Sequence, residues 1–294
     1  MIRKEGTRKR IKKYVVLTAA VAMVISVFAG CGNKASSSIT VISREEGSGT
    51  RGAFTEIVGI DKDGVDQTTQ SAEISQSTSV VMTTVEGNKN AIGYVSAGSL
   101  KDTVKALKVD GVLPTVEDIK SGAYPIARPF LLVTNDNLTE LANDFIQYVL
   151  STEGQGEVEG DGYVPSVSGS ALKNYAPKNG LSGKIAVVGS TSVAPLLQKI
   201  ADNYKAINSD VTIEIQQPGS GAGITSIAEN ACDIAMSSRE LKTEERAKGL
   251  NSITIAMDGI AVIVNKENTV DQLTTEDIRK IFTGESTDWS AYEK

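Results

Sequence analysis

Three times in this chain a β-branched apolar run ends in a glycine-and-hydroxyl turn that opens directly into a helical pattern. The turns are Gly47-Ser48-Gly49-Thr50 after residues 39–43, Gly189-Ser190-Thr191-Ser192 after 184–188, and Gly219-Ser220-Gly221-Ala222-Gly223 after 211–216. Strand, turn and helix in repeated succession specify an α/β construction with helices packed on mixed sheets. Each turn also leaves backbone N–H groups without intrahelical partners beside a hydroxyl, which is a ready seat for an oxyanion. Plain capping by Ser or Thr accounts for any one of these turns. Three together, with Arg44 just upstream of the first, point to an anion site. The third turn lacks the Gly-Lys-Ser/Thr ending of a nucleotide-binding loop.

The rest of the pattern continues the alternation. Helices are expected at 49–58, 77–87, 117–121, 139–150, 193–207, 220–229 and 275–282, and strands at 91–96, 104–109, 130–134 and 253–264. Residues 166–183, rich in Ser, Gly, Asn and Pro, read as a linker. Asp61–Asp66 has a faint calcium-loop look but lacks the terminal glutamate, and reads as a turn. The charged run 239–246 reads as a solvated helix face, and Cys232 as a small buried core residue.

The N-terminus belongs to a different class of segment. Residues 1–13 carry seven basic side chains against Glu5, followed by an apolar run from Tyr14 to Ala29 and then Gly30-Cys31. That is the layout of a secretory signal, and the close Val27-Phe28-Ala29-Gly30-Cys31 resembles a bacterial lipobox. The run of 16 residues is short of the roughly 20 that span a bilayer. The expectation is a signal peptide over 1–30, lipidation of Cys31, a tether over 31–38, and a cell-membrane, lipid-anchored location on the extracytoplasmic face. Of the 30 basic and 36 acidic residues, 23 and 35 then remain, a net of −12. Such a body is a poor partner for nucleic acid and must hold any anion with local donors.

Composition narrows the chemistry. The chain has no histidine and two cysteines, which removes Ser-His-Asp and Cys-His nucleophiles, HExxH metal sites and four-cysteine zinc sites. A binding protein, not an enzyme, with no cofactor and no metal, is the expectation.

Several stretches carry a resemblance to a known family. Val41-Ile42-Ser43-Arg44-Glu45-Glu46-Gly47-Ser48-Gly49-Thr50-Arg51, Gly189-Ser190-Thr191-Ser192-Val193-Ala194-Pro195 and Pro218-Gly219-Ser220-Gly221-Ala222-Gly223 resemble the phosphate-binding proteins of bacterial phosphate ABC transporters, the PstS family. So do Asp233-Ile234-Ala235-Met236-Ser237-Ser238-Arg239, the run from Asp258 to Asn265, Ile281-Phe282-Thr283-Gly284 with Trp289, Glu153-Gly154-Gln155, and Gly162-Tyr163-Val164-Pro165. The order is reversed: 184–294 resembles the family's N-terminal half and 39–165 its C-terminal half, so the chain reads as a circular permutant joined through 166–183. A rearranged gene with swapping between copies is the competing explanation. Permutation is tolerated where old termini lie close and the new cut falls in a loop.

What the resemblance implies is a two-lobed periplasmic-binding-protein (Venus-flytrap) fold, type II-like, closing on one inorganic phosphate for delivery to ABC transporter permease subunits. Residue by residue it implies phosphate ligands at Thr191, Ser192, Ser220, Ser238, Arg44, Ser48, Gly49 and Thr50. Glu46 is expected to orient Arg44 or Arg51. Some members hold an aspartate where this chain has Ser238, to accept the proton of hydrogen phosphate and reject sulfate. Asp258 is the nearest substitute proton acceptor, and a turn or cap role is its alternative. Other readings are a receptor for sulfate, molybdate or tungstate, a phosphatase on the same cradle, and a surface protein that no longer binds.

Overall fold

A computed structural model describes residues 37–293. The expected signal segment 1–30, the lipidation at Cys31 and most of the tether 31–38 lie outside the described residues. Everything below belongs to one compact unit that begins at Ser38.

Ten strands form one sheet: β1 (Thr40–Arg44), β2 (Glu73–Ser75), β3 (Ala91–Ser96), β4 (Val104–Ala106), β5 (Ala127–Thr134), β6 (Val164–Pro165), β7 (Gly183–Gly189), β8 (Val211–Gln216), β9 (Ile234–Ser237) and β10 (Asn251–Asn265). The order is β8-β7-β9-β5-β10-β3-β1-β2, with β4 and β6 also paired to β10. The helices are α1 (Gly49–Val58), α2 (Thr78–Gly87), α3 (Val116–Ser121), α4 (Glu140–Val149), α5 (Thr152–Gly160), α6 (Ala194–Ile207), α7 (Ser220–Ala228), α8 (Thr243–Arg246) and α9 (Thr275–Thr283).

The sheet divides into two lobes along β10. Its residues Asn251–Gly259 pair antiparallel with β5, while Ile260–Val264 pair with β3. The chain crosses between lobes at 126–127 and 259–260, where the Ile260 N–H donates to the Ile126 carbonyl at 2.7 Å. Lobe B is residues 127–259, with a core that includes Phe130, Phe145, Leu196, Leu197 and Tyr204. Lobe A is residues 38–126 and 260–293. There Phe54 stacks on Tyr94 at 4.0 Å and meets the edge of Phe282 at 4.9 Å.

The two pieces of lobe A are joined end to end. Ser38 bridges to Asp288, the Ile39 N–H donates to the Thr287 carbonyl at 2.9 Å, and Trp289 Nε1 donates to the Asn90 carbonyl at 2.9 Å. The segment 166–183 runs from β6 to β7 on lobe B and is pinned there. The Tyr175 hydroxyl donates to the buried Asp144 at 2.5 Å, beside Tyr204 at 2.9 Å. The Tyr175 N–H donates to Glu153 at 2.9 Å.

Some local features differ from the sequence reading. Helix α5 goes unseen in the pattern because Gly154, Gly156 and Gly160 dilute it; Ser151 starts it by accepting the Gly154 N–H at 3.3 Å. Within 239–246 only Thr243–Arg246 is helical, and Arg239 forks onto Glu245 at 2.8 and 2.7 Å with both side chains largely buried rather than solvated. Residues 61–66 form a small hairpin, Asp61–Lys62 with Val65–Asp66. Cys232 is half-buried against the Leu131 cluster, and burial pushes its thiol up to about 11.

Candidate functional site

Four helix N-termini converge where the lobes meet. From lobe A come α1, whose N-cap is Ser48, and α2, whose N-cap is Ser77. From lobe B come α6, preceded by Thr191 and Ser192, and α7, which begins at Ser220. Each helix end contributes partial positive charge and unpaired N–H groups. The local chain makes this possible. Gly189 ends β7 at φ +152, and a Cβ there would fall 2.1 Å from the Met236 carbonyl oxygen, so only glycine turns the chain tightly enough. Gly49 lets the lobes touch, because a Cβ on it would lie 2.3 Å from Ser220 Oγ and 2.7 Å from Ser238 Oγ.

The hydroxyls form two linked groups. In the first, Thr50 Oγ1 lies 2.9 Å from Ser192 Oγ, and Thr78 Oγ1 lies 3.0 Å from Ser192 Oγ and 3.3 Å from Thr191 Oγ1. In the second, Ser190 Oγ donates to Ser238 Oγ at 2.9 Å, and Ser220 Oγ accepts the Ser238 N–H at 3.2 Å. All these side chains are buried.

Two buried guanidiniums flank the hydroxyls. Arg44, at the end of β1, donates to Thr191 Oγ1 at 3.0 Å, and Glu45 holds it in a bidentate fork at 2.8 and 2.7 Å. Arg128, on β5, donates through Nη1 to Thr50 Oγ1 at 2.8 Å and to the Ser238 carbonyl at 2.9 Å. Its Nη2 and Nε face Asp258 Oδ2 at 3.0 and 3.3 Å, and its guanidinium lies 5.2 Å from the Phe130 ring centre. Burial pushes the Arg128 guanidinium down and the Asp258 carboxyl up, and their mutual attraction opposes both shifts.

The structure therefore brings Thr191, Ser192, Ser220, Ser238, Arg44, Gly49 and Thr50 to one place. Ser48 sits at its edge, its hydroxyl accepting the Arg51 N–H as a helix cap at 3.3 Å. Asp258 is set behind Arg128, with Oδ1 taken by Ser96 at 3.0 Å. Glu45, not Glu46, orients Arg44, while Arg51 pairs with Asp66 at 2.7 Å. The residues added by the structure are Arg128, Thr78, Ser190 and Glu45. Ser77-Thr78 at a helix start was the one local signal for Thr78. Arg128 inside a strand gave none. Among the described residues no group of three His, Cys, Asp or Glu side chains is placed to hold a metal ion.

The family model of the PBP superfamily domain matches residues 18–153 and 174–293. The phosphate-binding protein PstS 2 of Streptococcus agalactiae serotype V is 47% identical over 296 residues, covering 97% of this chain and 100% of the relative. This chain belongs to the PstS family. A solved phosphate-binding protein of a phosphate ABC transporter from Streptococcus pneumoniae TIGR4 superposes with a TM-score of 0.70 at 46% identity, covering 87% of this PstS-family chain and 100% of that one. The PstS of Staphylococcus saprophyticus subsp. saprophyticus is 32% identical over 114 residues, 36% of each chain. The two-lobed α/β fold is thus that of a PBP superfamily member.

Proposed function

We propose that this chain is an extracytoplasmic lipoprotein, anchored through Cys31, that captures inorganic phosphate between its lobes and delivers it to an ABC transporter permease. The observation that carries the reading is the convergence of four helix N-termini and two buried arginines on one set of hydroxyls drawn from both lobes. The names of the streptococcal relatives point the same way. Chemically the arrangement suits a tetrahedral oxyanion. Hydroxyls and N–H groups can surround all its oxygens, while the arginine charges offset the cost of removing it from water. Charged hydrogen bonds of about 1.5–3 kcal/mol each, less dehydration, are compatible with micromolar or tighter binding, about −8 kcal/mol. Among the described residues no helix is long and apolar enough to cross a membrane.

The reversed order of the two halves is part of the same proposal. It is supported by the meeting of Ser38 with Asp288, which marks where such a permuted chain would have been opened. Full coverage of the streptococcal relative beside a one-third match to the staphylococcal one fits an order shared with the former only.

A second reading, a receptor for tetrahedral oxyanions in general, is favoured by one detail. Ser238 Oγ is bonded to Ser190 and lies 3.4 Å from Ser220, so the position holds a hydroxyl able to donate as well as accept. Calorimetric titration of residues 38–294 with phosphate and sulfate separates the readings. Micromolar or tighter phosphate binding with sulfate at least a hundredfold weaker supports the first, equal binding supports the second, and no binding of either overturns both.

A further inference from the structure

The two chain crossings between the lobes lie side by side, and a buried ion pair spans them. Arg128 stands one residue beyond the first crossing and Asp258 one residue before the second, and they are register partners in the β5–β10 ladder. Their side chains are 1% and 0% exposed. The Arg128 fork thus has three kinds of partner at once: the hinge carboxylate Asp258, the Thr50 hydroxyl of lobe A, and the Ser238 carbonyl of lobe B. Rotating the lobes apart would separate Thr50 from Ser238, so Arg128 holds both only when the cleft is closed.

We propose that Arg128 is a second charge of the anion site, mounted on the hinge and positioned by Asp258, which couples anion binding to closure through Thr50. This rests on the oxyanion reading above. With one lone pair engaged by Arg128 Nη1, the Thr50 hydroxyl can turn its own proton toward the cluster, where Ser192 Oγ lies 2.9 Å away. Arg44 alone offers one guanidinium, itself paired with Glu45 as Arg128 is with Asp258, to an anion of up to two charges. Arg128 supplies the second, and its own carboxylate lies on the side away from Thr50 and is bonded to Ser96. Low dielectric at this depth makes the added charge count for more than it would in water. The hinge pair is therefore more than a clasp between strands: it puts a positive charge where both lobes reach it only on closing.

The test separates charge from scaffolding. The paired substitution Arg128→Gln with Asp258→Asn keeps hydrogen-bonding groups and net charge, and avoids leaving one buried charge alone. Phosphate affinity by calorimetry, melting temperature without ligand, and phosphate-induced compaction by small-angle scattering are measured on the wild-type and variant proteins. The expected result is affinity about ten- to hundredfold weaker in the variant, at a melting temperature within a few degrees of wild type. Compaction should shift to correspondingly higher phosphate. Wild-type affinity in the paired variant overturns the proposal while leaving the oxyanion reading intact. A wild-type protein that binds no phosphate removes that reading, and this one with it. Should the paired variant fail to fold, Arg128→Met with Asp258→Leu decides, because apolar groups of similar volume replace the buried pair without leaving a lone charge. Unchanged phosphate affinity and compaction in that variant overturn the proposal.

Discussion

Lobe B is one unbroken stretch of chain, 127–259, whereas lobe A is assembled from 38–126 and 260–293 and closes only where Ser38, Ile39 and Asn90 meet Asp288, Thr287 and Trp289. Their contributions to the site differ as well. Lobe B brings neutral hydroxyls on three turns, Thr191 and Ser192, Ser220, and Ser238. Lobe A brings Arg44, Gly49, Thr50 and Thr78, and the hinge strand brings Arg128. The contiguous lobe thus offers a dipolar surface with Arg128 at its hinge edge, and the split lobe brings Arg44 to it. Since lobe A must bring distant ends together before its sheet is complete, its formation carries the larger loop-closure cost.

Perturbations can break that contrast, beginning with the largest. Trp289→Ala should cost about 3–5 kcal/mol, the usual range for truncating a buried Trp, because Trp289 is 3% exposed and ties the two ends of lobe A. Hydrogen exchange should show protection lost first at Ile92 and Tyr94, with Leu132 and Ile234 holding. Equal loss in both lobes would mean they unfold as one unit. Next comes Gly49→Ala, whose methyl would press into Ser220 and Ser238. Phosphate binding should fall at least a hundredfold with the melting temperature of the unliganded protein little changed, and a bound, closed Gly49→Ala protein would rule out the contact as the closing point. Arg44→Ala should weaken phosphate by about ten- to hundredfold, from loss of a charged contact, which calorimetry reads directly. Ser220→Ala, a hydroxyl of lobe B, should cost about tenfold or less. An Arg44 effect no larger than that of Ser220 would erase the division between the charged contact of lobe A and the hydroxyl turns of lobe B.

The smallest effect concerns the Arg239–Glu245 fork of lobe B, beside Gly52 of α1. Burial raises the Glu245 carboxyl, but the Arg239 fork and the Lys242 N–H outweigh it, so the group titrates below its ordinary 4.5. A carboxylate lowered by folding stabilises above its unfolded value, and the contribution is lost as pH falls through the folded one. Glu245→Gln should therefore lower the melting temperature slightly at neutral pH and flatten its decline below about pH 4.5. An acid limb unchanged by the substitution would show that the fork is neutral in stability.

The sequence exposed those parts of the fold and site that depend on neighbours in the chain. The strand-to-helix turns at 47–50, 189–192 and 219–223 are local, and their hydroxyls meet as expected. Thr78 was hidden because Ser77 looks like any helix cap until its helix is seen to point at Ser192. Arg128 was hidden more deeply. Its partner Asp258 is 130 positions away, and nothing in Arg128-Pro129-Phe130 marks the arginine as buried. The carboxylate was misassigned for a local reason: Glu46 was expected to orient Arg44 or Arg51, yet the backbone course after β1 turns the adjacent Glu45 toward Arg44. The lobe boundary at 126–127 also went unread: the expected strand began only at 130, whereas β5 starts at Ala127, directly past the boundary.

Strand β10 has a mechanical consequence. One ladder holds its first portion in lobe B and another holds its second portion in lobe A. Sliding either lobe along the other would break hydrogen bonds in register on both sides. A twist about the Asp258–Gly259–Ile260 segment breaks few of them. The molecule therefore has one soft coordinate, and cargo can leave by a rotation with both sheets intact, at a rate governed by the contacts across the mouth of the cleft and not by the strength of the cores.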